Sequence, residues 1–247
     1  MTRSSDNWDQ FSQAYDLPSY EAQPNVYIIA SLPRSGSHFL GHLLANSGEL
    51  GSPLEYLHPN HLRKWREVLG ASTSADALRE LFRRRTSPSG WFGLKAHWNH
   101  FADALVDTSI ADLLRPRQYI FIRRSDQLGQ AISLVLARQT GAWISFHGRR
   151  SEPVYSFEAI TTARQEIEAQ DRSWADYFLR TKTEPLTVRY EDLVDDPAAI
   201  LQKVSDALGV RVTPGKRTLA MPKVQATQIN KEWRVRFMAD ASRLGIS

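Results

Sequence analysis

Apolar residues fall into two alternating patterns along the chain. Residues 26–31 (VYIIAS) form a nearly continuous apolar run, the signature of a strand covered on both faces. Residues 91–96 (WFGLKA), 118–123 (QYIFIR) and 186–189 (LTVR) predict three more strands. Helical stripes fill the gaps. Over 37–47, Phe39, Leu40, Leu43 and Leu44 share one face. A helix with Ser125 as N-cap and Asp126 in its first turn gathers Leu128, Ala131, Ile132, Val135 and Leu136 on one side. Asp126, Gln130 and Ser133 fall on the other. A long helix from about Phe157 to Leu179 turns Ile160, Ala163, Ile167, Trp174 and Phe178 inward. Another covers 197–208, with proline where a first turn tolerates it. Strands alternating with helices predict an α/β fold, a central parallel sheet flanked by helices. Residues 1–25 read as an N-terminal arm, poorly ordered or forming a short surface helix, ahead of a single domain over 26–247.

Open parallel sheets bind ligands beyond the carboxyl ends of their strands. The loop after the first strand lies there, in the segment VYIIASLPRSGSHFLGHLL (26–44). Strand, tight loop and helix is a phosphate-binding layout, yet Gly36 is followed by Ser37 and His38, so the Walker lysine is missing. Backbone N–H groups before a helix still make an anion nest, reinforced by the helix dipole. Gly36 allows close backbone approach. Ser35 and Ser37 offer hydroxyls, and Arg34 offers a fork suited to phosphate or sulfate oxygens. The alternative is an ordinary capping turn with Arg34 on the surface.

A second basic element follows the third strand in YIFIRRSDQLGQAIS. Arg123 or Arg124 at the strand end, with Ser133 on the polar helix face, can grip a second phosphate; otherwise the arginine pair is a solvated strand end.

Composition narrows the options. Apolar residues make up 42% and charged residues 23%, as in globular domains, and no cysteine is present, which excludes disulfides, thiolate metal sites and a cysteine nucleophile. The net charge of +4 favours anionic ligands but is too dilute for a nucleic-acid surface. Arg83, Arg84 and Arg85 read as a solvated helix end. No run spans a membrane, and the polar first residues lack a signal-peptide core, so a cytoplasmic location is expected.

Five blocks, ASLPRSGSHFL, GELGSPLEYL, WFGLKAHWN, RRSDQLGQAISLVLARQTGAW and VQATQINKEW, occur in the order and at the spacing of a known family. They cover about 26 to 245, and the chain resembles the bacterial trehalose 2-sulfotransferase-like family. The resemblance implies a sulfotransferase fold with a P-loop-like strand–loop–helix. It also implies 3′-phosphoadenosine-5′-phosphosulfate (PAPS) as donor, no metal, a small-molecule or glycolipid sugar acceptor, and a homodimer. Arg34, Ser35, Gly36, Ser37 and His38 then hold the 5′-phosphosulfate, the basic residue before Ser-Gly doing the missing lysine's work. Arg123 or Arg124, with Ser133, holds the 3′-phosphate. Two positions depart from the pattern: His38 stands where members usually carry Thr or Ser, and Arg123 where a His often precedes the Arg.

The resemblance also implies Glu55 as general base, with His58 the local alternative since imidazole titrates in a useful range. Arg34 and Lys95 are the candidate stabilisers of charge developing on the sulfuryl group; Lys95 otherwise sits on the surface at its strand end. Trp98 (with Asn99 and His100), His58 and Trp143 are candidate sugar contacts, and Trp98 fits core packing almost as well. The irregular stretch 139–156, which includes Trp143, Phe146, His147, Arg149 and Arg150, reads as an acceptor lid. Lys223, Gln225 and Lys231 are candidates for a C-terminal loop over the nucleotide. Tyr190, Glu191 and Asp192 read as structural capping. A metal-dependent kinase or NTPase, or an inactive nucleotide-binding module, is the competing reading.

Overall fold

The computed structural model describes residues 9–144, 150–213, 215–222 and 228–245. Its centre is a sheet of four parallel strands, β1 (Asn25–Ser31), β2 (Trp91–His97), β3 (Gln118–Arg123) and β4 (Leu186–Arg189), in the order β2-β1-β3-β4. The register sets Ile29 beside Lys95 on one flank and beside Ile120 on the other. Ten helices surround it among the described residues. They are α1 (Ser37–Asn46), α2 (Pro59–Leu69), α3 (Ser74–Arg85), α4 (Trp98–Val106), α5 (Thr108–Leu114), α6 (Gln127–Thr140), α7 (Phe157–Thr181), α8 (Tyr190–Asp195), α9 (Pro197–Leu208) and α10 (Gln228–Arg243).

The pleat of β1 divides the core. Tyr27 and Ile29 meet Leu40 and Leu44 of α1 and Ile200, Leu201 and Val204 of α9. Ile28 and Ala30 belong to the larger cluster, with Leu78 of α3, Phe101 of α4, Ile132 of α6 and Trp174 of α7. Both faces are covered, which is why the strands read as apolar runs.

Two expectations are corrected. The N-cap of α6 is Asp126, whose side chain accepts from Gly129 N, while the Ser125 amide is taken by the Glu191 carboxylate at 3.0 Å. Arg85 is not a solvated helix end. It is fully buried over the rings of Tyr15, Tyr56 and Trp65, donates to the carbonyls of Gln10 and Ser12, and pairs with Asp16 at 3.1 Å. A buried guanidinium needs acceptors and a countercharge, and the segment before β1 supplies both. That segment contains a short helix, Gln13–Tyr15, with Tyr15 buried in the core.

Candidate active site

The carboxyl ends of β1, β2 and β3 open on a cavity of about 500 Å³. On its floor the loop after β1 makes two left-handed steps, at Arg34 (φ 64°) and Gly36 (φ 88°), before α1 begins. The ring of Tyr190 lies against Gly36 so closely that a Cβ there would fall 2.4 Å from Cδ2. Ser35 is fully buried, and among the described residues its Oγ has no protein partner. Arg34 Nε donates to Ser133 Oγ at 2.9 Å, and its guanidinium also reaches the carbonyl of Trp143. Burial, and then repulsion from Arg124, lower the Arg34 pKa to about 10, so it stays cationic at neutral pH. The loop and the helix of the second basic element thus meet in one site.

Glu55 is set by the chain's approach to β2. Leu54 makes an isolated parallel bridge with Leu94, and Lys95 N donates to Leu54 O at 2.9 Å. Neighbouring residues on that bridge bring Lys95 Nζ to 3.2 Å from Glu55 Oε2. The other carboxylate oxygen lies 3.4 Å from His100 Nδ1 and 3.6 Å from His97 Nε2. Burial alone would raise the Glu55 pKa, but the Lys95 ammonium holds it well below the usual carboxylate range. Lys95, only 1% exposed, is no surface lysine, and its ammonium also lies 3.3 Å from His38 Nε2. Burial first, and Lys95 second, keep His38 neutral, so its ring nitrogen can accept from the ammonium. Burial likewise lowers the His97 pKa to about 3.

The two arginines of β3 separate. Arg123 is half exposed and forks onto Asp171 at 2.9 and 2.5 Å. Arg124 lines the cavity, stacks 4.7 Å over the Tyr190 ring, and among the described residues its buried Nε has no acceptor. Both arginines also border a smaller hollow of about 320 Å³ beside Ser125 and Arg189.

The remaining candidates divide. His58, Asn99, His100 and Trp143 line the cavity. Trp98 does not. It packs against Phe101, Tyr177 and the fully buried Trp174 at 5.2–6.2 Å. Lys231 and Arg150 are exposed and outside the cavity wall. Phe146, His147, Arg149, Lys223 and Gln225 lie outside the described residues. The ends of the 139–156 stretch are pinned together, with Arg150 N on Thr140 O at 2.9 Å and Val154 N on Gln139 Oε1 at 2.8 Å. Tyr190, read as structural capping, also lines the cavity. Sequence reasoning missed His61 and His97. The available signal was density: His38, His42, His58, His61, His97 and His100 are six of the chain's seven histidines. Among the described residues no three of these side chains converge as metal ligands.

Comparison with known proteins places the fold and the family. The chain is 28% identical to trehalose 2-sulfotransferase of Mycobacterium tuberculosis (strain ATCC 35801 / TMC 107 / Erdman), covering 89% of this chain and 97% of that one. It is 26% identical to nodulation protein H of Rhizobium tropici, covering 79% and 78%. Its fold matches the sulfotransferase domain from the curacin biosynthetic pathway with a TM-score of 0.52 at 17% identity, over 92% of this chain and 99% of that domain. The sequence model of the Stf0 sulphotransferases matches residues 26–240, nearly the whole chain, and the protein therefore belongs to the Stf0 sulphotransferase family.

Proposed function

We propose that this sulfotransferase moves a sulfuryl group from PAPS to a hydroxyl of a carbohydrate or glycoconjugate, with Glu55 as general base. One observation carries the reading: a buried carboxylate held in its ionised form shares one cavity with the turn at Arg34–Ser37 and with Arg124 and Arg138. The residues fit the donor. Among the described residues the Ser35 hydroxyl and the Arg124 Nε are buried without partners, so the turn at Arg34–Ser37 suits the 5′-phosphosulfate and Arg124 suits the 3′-phosphate together with Ser133.

Glu55 takes the proton of the acceptor hydroxyl. The oxygen forms its bond to sulfur as the bond from sulfur to the departing phosphate oxygen breaks. Lys95 and Arg34 stabilise the negative charge that gathers on the sulfuryl and leaving oxygens. The low pKa of Glu55 keeps it in the carboxylate form that a base requires. A sugar acceptor is favoured by the resemblance to trehalose 2-sulfotransferase.

Calorimetry tests the donor assignment with 3′-phosphoadenosine-5′-phosphate (PAP) and 5′-AMP, without metal. Binding of PAP that depends on its 3′-phosphate supports the reading. Equal binding of 5′-AMP, or a requirement for Mg²⁺, sinks it in favour of a kinase-like or inactive module.

A further inference from the structure

Among the described residues five imidazoles line the cavity, and of these His58, His61 and His100 form a cluster, with ring centroids 4.5 Å apart from His58 to each of the others. Each ring turns its Nδ1 to a neighbour, and in His58 and His61 that nitrogen is hydrogen-bonded. His58 Nδ1 accepts from Asn60 N at 3.1 Å, as the N-cap of α2. His61 Nδ1 lies 2.9 Å from the Glu55 carbonyl, which can only accept. His100 Nδ1 lies 3.4 Å from the Glu55 carboxylate without a hydrogen bond, and the negative charge there favours a proton on that nitrogen. These neighbours fix the tautomers. His58 must carry its proton on Nε2, while His61 and His100 carry theirs on Nδ1 and keep a lone pair on Nε2. Among the described residues none of the three Nε2 atoms has a hydrogen-bond partner.

We propose that these three imidazoles read the hydroxyls flanking the one that is sulfated, His58 donating from Nε2–H and His61 and His100 accepting at Nε2. A sugar hydroxyl both donates and accepts, so neighbouring hydroxyls on one ring satisfy one donor and two acceptors beside the base. A lone alcohol leaves them unpaired, and a site built to hydrogen-bond a hydroxyl discriminates against a ligand that lacks it. Burial keeps His58 and His61 less basic than a free imidazole, which preserves their neutral forms near neutral pH. The inference rests on the sulfotransferase reading above and adds what selects the acceptor.

The test uses the full chain with PAPS and three acceptors: methyl α-D-glucopyranoside, trans-1,2-cyclohexanediol and cyclohexanol. The two polyols are expected to exceed cyclohexanol in kcat/KM by about tenfold or more. The variant His61→Asn places an amide nitrogen near the position of Nδ1, so it keeps the bond to the Glu55 carbonyl and deletes only the cavity acceptor. It is expected to raise KM for the diol about tenfold, with kcat within about threefold. His61→Gln, which extends a polar atom toward the Nε2 position, is expected to recover part of that loss. If PAP binds but cyclohexanol matches the diol, neither polyol is sulfated, or folded His61→Asn keeps the wild-type KM, this inference is overturned and the donor reading stands. If PAP does not bind, both fall. Should His61→Asn fail to fold, the wild-type ranking of diol over cyclohexanol decides.

Discussion

Lys95 and Glu55 form an ion pair of 3.2 Å with Lys95 1% and Glu55 9% exposed. Removing one member of such a buried pair strands the other charge, at a cost of about 3–5 kcal/mol. Glu55→Gln is therefore expected to lower stability in urea unfolding by a few kcal/mol. Turnover should fall roughly 10²-fold or more through loss of the base, while PAP affinity stays within about threefold. Stability and calorimetry together separate a lost base from a lost fold. Undiminished turnover in a folded variant removes Glu55 as the base.

His38 is expected to act through Lys95. Its Nε2 lies 3.3 Å from the ammonium and gives Lys95 a second anchor opposite Glu55. A reacting group displaced by about 1 Å loses up to about 10²-fold in rate. His38→Ala should thus lower kcat on the order of tenfold with little change in PAP affinity. His38→Gln, whose amide oxygen can accept from the ammonium, should recover most of the rate. If His38→Ala changes PAP affinity and spares kcat, His38 contacts the donor instead.

Arg124 and Arg123 should differ sharply as alanine variants. Arg124 faces the cavity, its Nε has no acceptor among the described residues and its guanidinium makes only a 3.4 Å approach to Asp126, while Arg123 is forked onto Asp171. A charge-assisted contact is worth about 1.5–3 kcal/mol, so Arg124→Ala should weaken PAP by roughly 10–100-fold and erase the preference over 5′-AMP. Arg123→Ala should leave both within about threefold. Titration of the two variants decides which arginine meets the 3′-phosphate.

Gly36→Ala should damage the loop from two directions. The residue sits at φ 88°, and its added Cβ would lie 2.4 Å from a carbon of the Tyr190 ring. Left-handed strain alone costs about 1–3 kcal/mol. A lower unfolding midpoint and weaker PAP binding are expected together, and Tyr190→Ala in the same background should relieve the steric part alone.

The sheet was legible because β1, β2 and β3 are largely apolar and β4 alternates Leu186 and Val188 with polar residues, and β3, β4 and α9 keep the predicted bounds. The turn at Arg34–Ser37 was legible from its residue types. Helices α2 and α3 were not singled out: α2 buries only Leu62 and Trp65 among many charged positions, and α3 ends in the arginine run that read as a solvated helix end. Arg85 misled because its cage comes from Tyr15, Tyr56 and Trp65, which share no local pattern. The same holds for Tyr190, whose contact with Gly36 spans most of the chain. Trp98 misled in the other direction: an aromatic beside Asn and His looks like a sugar platform, and only the tertiary position of Trp174 turns it into core. Residue chemistry survives translation into sequence, whereas orientation at a site depends on distant partners.

The buried histidines predict an acid-sensitive fold. His42 is fully buried, with Nδ1 2.9 Å from the Ala220 carbonyl. Burial lowers its pKa to about 4 against the partial support of that bond, whereas an unfolded histidine titrates near ~6.5. Between those values the unfolded chain binds the proton that the folded chain refuses. Stability therefore falls as pH drops below about 6.5, by up to about 1.4 kcal/mol per pH unit for this one group. His97 adds a change of the same sign. Glu55 does not contribute in that window: its carboxyl is lowered from an ordinary value of 4.5, so its share is lost only at more acid pH. His42→Asn keeps a donor near the Nδ1 position and removes the titration. Urea unfolding at pH 7, 6 and 5 should show a shallower loss of stability for the variant than for the wild type. Parallel slopes would mean that His42 is protonated equally in both states, and that the acid sensitivity lies with His97 and its neighbours.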